Sequence, residues 1–175
     1  MKSEAAGMTR TRVSVKKMIL TAFFGALGYV LSTFVYFPAM APFQHFVNVL
    51  AAVFVGPWYG FAAALITASL RMLSGRTLLA LIGAVFGAFL SGFLYQRFQK
   101  LYWAVIGEVV GTGIISAVVA CPVMNLVYGT DFTSPFYYIP FFIPASIVGS
   151  LLAVLVLGSL RKMKLLDRLL SQINQ

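Results

Sequence analysis

Gln44, His45 and Asn48 stand close together in an apolar stretch, Arg71 lies near the end of the next, and Thr77 opens the one after. Gln44 and Asn48 are four positions apart, which puts them on one face of a helix. In a chain that is 61% hydrophobic and 10% charged, such groups are scarce enough to be informative. Their chemistry is donation and acceptance of hydrogen bonds, as recognition of a small molecule requires. Catalytic chemistry is poorly supplied: there is one histidine, one cysteine and four Asp or Glu residues, and Glu4 and Asp167 lie in the flanking segments. No paired carboxylate, metal-ligand spacing, P-loop or Gly-x-Ser-x-Gly elbow is present. A nucleophilic dyad would need His45 beside a serine or Cys121. A protein without enzymatic activity of its own is expected.

The elements that must position these groups follow from the composition. Soluble domains are roughly 45–50% apolar and about 25% charged, so this chain is built for lipid. A net charge of +9 could indicate nucleic-acid binding, but the thirteen Lys and Arg residues cluster between apolar runs with no aromatic-interleaved groove. That is the distribution of a membrane topology, and no nucleic-acid partner is expected. Cys121, inside an apolar run, reads as a small buried hydrophobe.

A transmembrane helix needs about 20 mostly apolar residues. The expected fold is an all-α integral membrane protein, a single domain over 1–175 with six transmembrane helices at 18–37, 43–55, 58–73, 77–98, 101–128 and 137–160. The second is short and ends sharply at Gly56-Pro57. Lys16-Lys17 ahead of an apolar run and Ala39-Met40-Ala41 also resemble a signal peptide, although the run is long for one.

Cytoplasmic loops are enriched in Lys and Arg. With the N and C termini cytoplasmic, the inner set is Lys2, Arg10, Arg12, Lys16, Lys17, Arg97, Lys100, Arg161, Lys162, Lys164 and Arg168. A basic N-terminal segment, 1–17, and a basic C-terminal tail, 161–175, then flank the spans inside. Only Arg71 and Arg76 remain on the outer side, Arg76 solvated in the turn at 74–76 and Arg71 nearly a turn inside the third span, with further outer loops at 38–42 and 129–136.

Helices in lipid associate where small residues let backbones approach. Ala22, Gly25 and Ala26 mark the first span, and Phe23, Phe24, Leu27 and Tyr29 flank them, a surface that could receive another helix. Gly83, Gly87 and Ser91 mark the fourth span, Gly107 and Gly111 the fifth, and Ala145, Gly149 and Ala153 the sixth.

Polar groups at membrane depth face a bundle interior or a water-filled cavity. Gln44, His45, Asn48, Arg71, Thr77, Asn125, Tyr128, Tyr137 and Tyr138 collect toward the outer face, which predicts a substrate-binding pocket there. Most of them have a plainer alternative. The tyrosines suit an interfacial aromatic belt, Arg71 could snorkel to the headgroups, and His45, Asn48 and Asn125 could bond between helices. Glu108 sits about two turns from the cytoplasmic end of span five, where pairing with Lys100 or Arg97, protonation or a partner contact would offset its burial. An apolar-walled pocket with a few such groups suits a compact, largely neutral heterocycle.

Ala22-Phe23-Phe24-Gly25-Ala26 matches an Ala-x-x-x-Ala pattern, and the chain as a whole resembles the substrate-binding S components of energy-coupling factor vitamin transporters. "HFVNVLAAVFVGPWYG" and "LRMLSGRTLLALIGAVFGAFLSGFLY" are most similar to the ThiW type. The resemblance implies capture of a thiamine precursor such as hydroxyethylthiazole at the bacterial plasma membrane. It further implies docking through Ala22, Gly25 and Ala26 on a transmembrane coupling subunit, with ATP used by two partner ATPase subunits and no cofactor on this chain. Other readings are an S component for thiamine or a pyrimidine precursor, a small channel or membrane enzyme, and a structural subunit that only binds helices.

Overall fold

The computed structural model describes residues 14–35 and 41–174. Residues 1–13 of the basic segment, the expected end of the first span at Phe37 and most of the loop at 38–42 lie outside the described residues. So do Ala39-Met40 of the signal-peptide reading.

The described residues form helices and connecting turns, with no strand among them. In chain order the helices are α1 (Val15–Phe34), α2 (Pro42–Val55), α3 (Pro57–Leu73), α4 (Leu79–Phe98), α5 (Leu101–Tyr128), α6 (Ile139–Lys162) and α7 (Leu165–Asn174). α5 is one continuous helix that contains a π-helical stretch, Gly111–Ser116, and Pro122 within its last turns.

Four helices are long and apolar enough to cross a bilayer: α1, α4, α5 and α6. On them Phe23, Phe34, Phe93, Leu126, Leu151 and Leu155 expose more than half of their side chains. So much exposed apolar surface on helices of that length is surface for hydrocarbon. The protein is a multi-pass membrane protein. The expected six spans resolve differently, because α2 and α3 have 14 and 17 residues. The tail also departs from expectation: α6 runs on to Lys162, and residues after Lys164 form α7, where Leu166 is buried against the bundle.

α2 explains its own shortness. At about 1.5 Å per residue it spans roughly 21 Å, against a hydrocarbon core of about 30 Å. Eleven of its 14 residues are buried, and it packs against all six other helices. A helix lined by protein has no lipid to match, so only its ends must meet polar surroundings. Pro42 starts it, where a missing N–H costs nothing. Gly56 stops it with φ 83° and ψ −173°, a conformation nearly reserved for glycine, and Pro57 begins α3 directly.

The small residues draw the other helices together. A Cβ on Gly107 of α5 would stand 2.6 Å from the Leu90 carbonyl oxygen, and one on Gly111 would stand 2.7 Å from Gly87 Cα. α4 and α5 therefore touch backbone to backbone, which no larger residue permits. Gly149 of α6 makes the same close approach to the Pro42 carbonyl and to His45 at the start of α2.

Candidate ligand site

The end of α2 that begins at Pro42 opens into a cavity of about 290 Å³. That is near the lower limit of ligand pockets, roughly 300–1,000 Å³, and suits a small heterocycle. Ala41 precedes α2, which contributes Gln44 and His45, and α3 contributes Arg71. Gly75, Arg76 and Thr77 come from the following turn, Leu79, Ala80 and Gly83 from α4, Thr112 from α5, and Phe142 and Ala145 from α6. Gly75, at φ 87°, reverses the chain tightly enough to bring Arg76 and Thr77 back over the opening.

Arg71 is buried in the last turn of α3 and donates through its guanidinium to the side-chain oxygen of Gln44. That bond fixes the orientation of the Gln44 amide, since a guanidinium has only donors. The amide nitrogen of Gln44, itself buried, then has no hydrogen-bond partner among the described residues. A buried N–H left unpaired costs about 1–3 kcal/mol unless a further acceptor meets it.

Behind the cavity lies a second polar group, centred on Glu108, which is fully buried in α5. Its Oε1 is 2.8 Å from His45 Nδ1, accepts from Asn48 Nδ2 at 3.0 Å and accepts from Thr112 Oγ1 at 3.1 Å. Asn48 also donates to the Ala84 carbonyl at 3.1 Å, which ties α2 to α4. Gly87 makes room for this, because a Cβ there would collide with the Glu108 carboxyl. Glu108 thus pairs with neither Lys100 nor Arg97. Those two are exposed, lying over the rings of Tyr102 and Phe98 respectively.

Of the sequence-predicted residues, Gln44, His45, Arg71 and Thr77 line the cavity together, and Asn48 stands one layer behind, in the Glu108 group. Asn125, Tyr128, Tyr137 and Tyr138 do not line it. Asn125 clamps the 129–136 loop: its Oδ1 accepts from Thr130 Oγ1 and Phe132 N, and its Nδ2 donates to the Phe132 carbonyl. The Tyr128 hydroxyl accepts from Leu78 N at 3.0 Å, Tyr137 stacks on Phe132, and Tyr138 packs against Phe142, which itself faces the cavity. These four brace the wall of the site from outside. Sequence reasoning missed Thr112 and Phe142 and left Arg76 in solvent. Only Thr112 carried a signal, its four-residue spacing from Glu108 on α5.

The small-residue face of α1 divides. Ala22 and Ala26 are exposed, whereas Gly25 is buried, and a Cβ there would stand 2.7 Å from Ile66 Cγ2 of α3. At 3.6 residues per turn, position 25 points well away from the stripe shared by 22 and 26, so α3 takes Gly25 and leaves the alanines open.

No curated protein and no solved structure matches the sequence. A protein-family model does match, over residues 18–163, which cover every cavity-lining residue and all of α2 to α6. Its description is thiamine-precursor transporter protein, ThiW. A transporter family agrees with a bundle whose polar residues surround a ligand-sized cavity. The chain belongs to the ThiW family of thiamine-precursor transporter proteins.

Proposed function

We propose that the chain is the substrate-capture subunit of an energy-coupling factor importer, binding a hydroxyethylthiazole-like precursor in the cavity at the start of α2. The observation that carries this reading is the buried Gln44 amide, its oxygen committed to Arg71 and its nitrogen unpartnered in the cavity wall. A ring nitrogen is the acceptor that such a donor would meet. Phe142, Leu79 and Ala145 supply the apolar wall for the rest of a small heterocycle. Gln44, His45, Arg71 and Thr77 make the contacts, and Asn125, Tyr128, Tyr137 and Tyr138 hold the loop and helix that close the site.

In this reading the chain crosses the bacterial plasma membrane six times with both termini in the cytoplasm, as the Lys and Arg clusters favour, and the cavity opens outward. α2 crosses as an inner helix wrapped by the others. Ala22 and Ala26 dock on the coupling subunit, two partner ATPases hydrolyse the ATP, and this chain carries no cofactor and no catalytic site.

Calorimetry on the purified protein tests the proposal, with native mass spectrometry to count ligands. One hydroxyethylthiazole per chain should bind, more tightly than thiamine or a pyrimidine precursor. Saturable binding of one of those instead would overturn the substrate, and absence of binding to all three would overturn the capture role.

A further inference from the structure

Among the cavity-lining residues Glu108 is hydrogen-bonded to His45 and Thr112, and with Asn48 these place three polar partners on one carboxyl oxygen. Asn48 Nδ2 has only protons to offer, so Oε1 acts as acceptor, and the Thr112 hydroxyl shares its one proton between Oε1 and the Gly83 carbonyl at 3.3 Å. Facing that acceptor oxygen, His45 Nδ1 is the ring nitrogen that carries a proton. In neutral imidazole the other nitrogen, Nε2, is then bare, an acceptor on the opposite edge of the ring. His45 lines the cavity. Arg71, Arg76 and the Gln44 amide nitrogen line the same space, and none of these three groups can accept a hydrogen bond. An acceptor of fixed direction is what a ligand hydroxyl would need.

The geometry points to Glu108 as a positioning residue that locks His45 in the Nδ1–H tautomer, so that Nε2 accepts a hydrogen bond from an alcohol on the ligand. Hydroxyl-bearing heterocycles are thereby selected over their deoxy analogues. This rests on the reading of the cavity as a precursor site and deepens it. Two features of the surroundings fit. Asn48 is held in place by the Ala84 carbonyl, so its contribution to Oε1 does not depend on ligand. Gly87 admits the carboxyl, since a Cβ there would stand 2.8 Å from Glu108 Oε1.

His45 is the only histidine in the chain, so NMR of protein labelled at the histidine ring nitrogens reports this ring alone. In ligand-free wild-type protein Nδ1 should carry the proton and Nε2 should be bare. A proton on Nε2, alone or with one on Nδ1, overturns the lock. Adding hydroxyethylthiazole should shift the Nε2 resonance, and its ethylthiazole analogue should not; equal shifts overturn selection through the hydroxyl. By calorimetry the wild type should favour the alcohol over the deoxy compound by about tenfold, the effect of leaving one buried acceptor unpaired. Glu108→Gln retains an acceptor oxygen, toward which Asn48 and Thr112 still donate, and should keep the tautomer and most of the preference. Glu108→Met removes the acceptor and should lose both; a Met variant that keeps the tautomer and preference overturns the assignment. Should that variant fail to fold, the wild-type spectra and the Gln variant decide. Failure of the wild type to bind any thiazole fails the site reading and hydroxyl selection together, while the ligand-free spectrum judges the lock separately.

Discussion

Arg71 and Gln44 act as a pair, and a pair makes a sharper test than either residue alone. The guanidinium is buried, faces the cavity and directs the Gln44 amide. Lysine would keep the charge but present a single ammonium without the planar fork, so the amide would lose its fixed direction. Arg71→Lys should weaken hydroxyethylthiazole binding by about tenfold, close to 1.4 kcal/mol, with little change in melting temperature. Unchanged affinity would return Arg71 to a snorkelling role. Arg71, His45 and Gln44 were legible in the sequence because polar groups stand out in apolar runs. The link from His45 to Glu108 was not, since it joins positions 63 apart and depends on how α2 and α5 meet. Counting turns from the cytoplasmic end of α5 suggested Lys100 and Arg97 as partners; only the packing shows that those side chains point outward onto aromatic rings. Thr112→Val is the complementary change where the cavity wall meets the Glu108 group. It removes one donor to Glu108 at nearly constant volume and should lower stability by about 1 kcal/mol in thermal unfolding.

Helix ends were the most legible elements. Gly56-Pro57, Gly75 and Gly129 all fall where chain direction changes, and all three glycines take positive φ. What composition could not convey is which apolar run faces lipid and which faces protein. α2 and α4 are similarly apolar by sequence, but α2 is enclosed and α4 has an outer face. The tail shows the same limit: its basic residues dominated the sequence reading, and Leu166 packing under the bundle became evident only from the fold. The α4–α5 contact provides the element-scale test. Gly107→Ala places a methyl against the Leu90 carbonyl and the Ser91 backbone, which cannot yield without separating the helices. A loss of about 1–3 kcal/mol is expected, as for overpacking generally. Gly158→Ala, with nothing within 4 Å of the added carbon, is the control and should be no less stable than wild type, gaining at most the roughly 0.5–1 kcal/mol by which alanine exceeds glycine in a helix. Equal effects at the two positions would mean that helix propensity, not close approach, governs these glycines.

Across the whole molecule, the cavity and the open alanines of α1 occupy different surfaces, so capture and coupling should be separable. The cavity is built from α2 to α6 and contains no α1 residue. α1 packs on α2 and α3 through Phe24, Gly25 and Gly28, and leaves Ile19, Ala22, Phe23, Ala26 and Val30 exposed. Thr67 holds that arrangement by donating to the Gly25 carbonyl at 2.9 Å. Large side chains at positions 22 and 26 would therefore project outward, where there is room in the isolated chain and none beneath a closely packed partner helix. Replacing both alanines, Ala22→Trp with Ala26→Trp, should leave thiazole affinity and melting temperature within about twofold and a few degrees of wild type. Thiazole uptake by cells that express the variant with its partners should fall to background. Loss of binding in the purified variant would mean that α1 shapes the cavity indirectly. Full uptake would move the docking face to another surface, of which the lipid-facing side of α6, with Leu151 and Leu155, is the next to test.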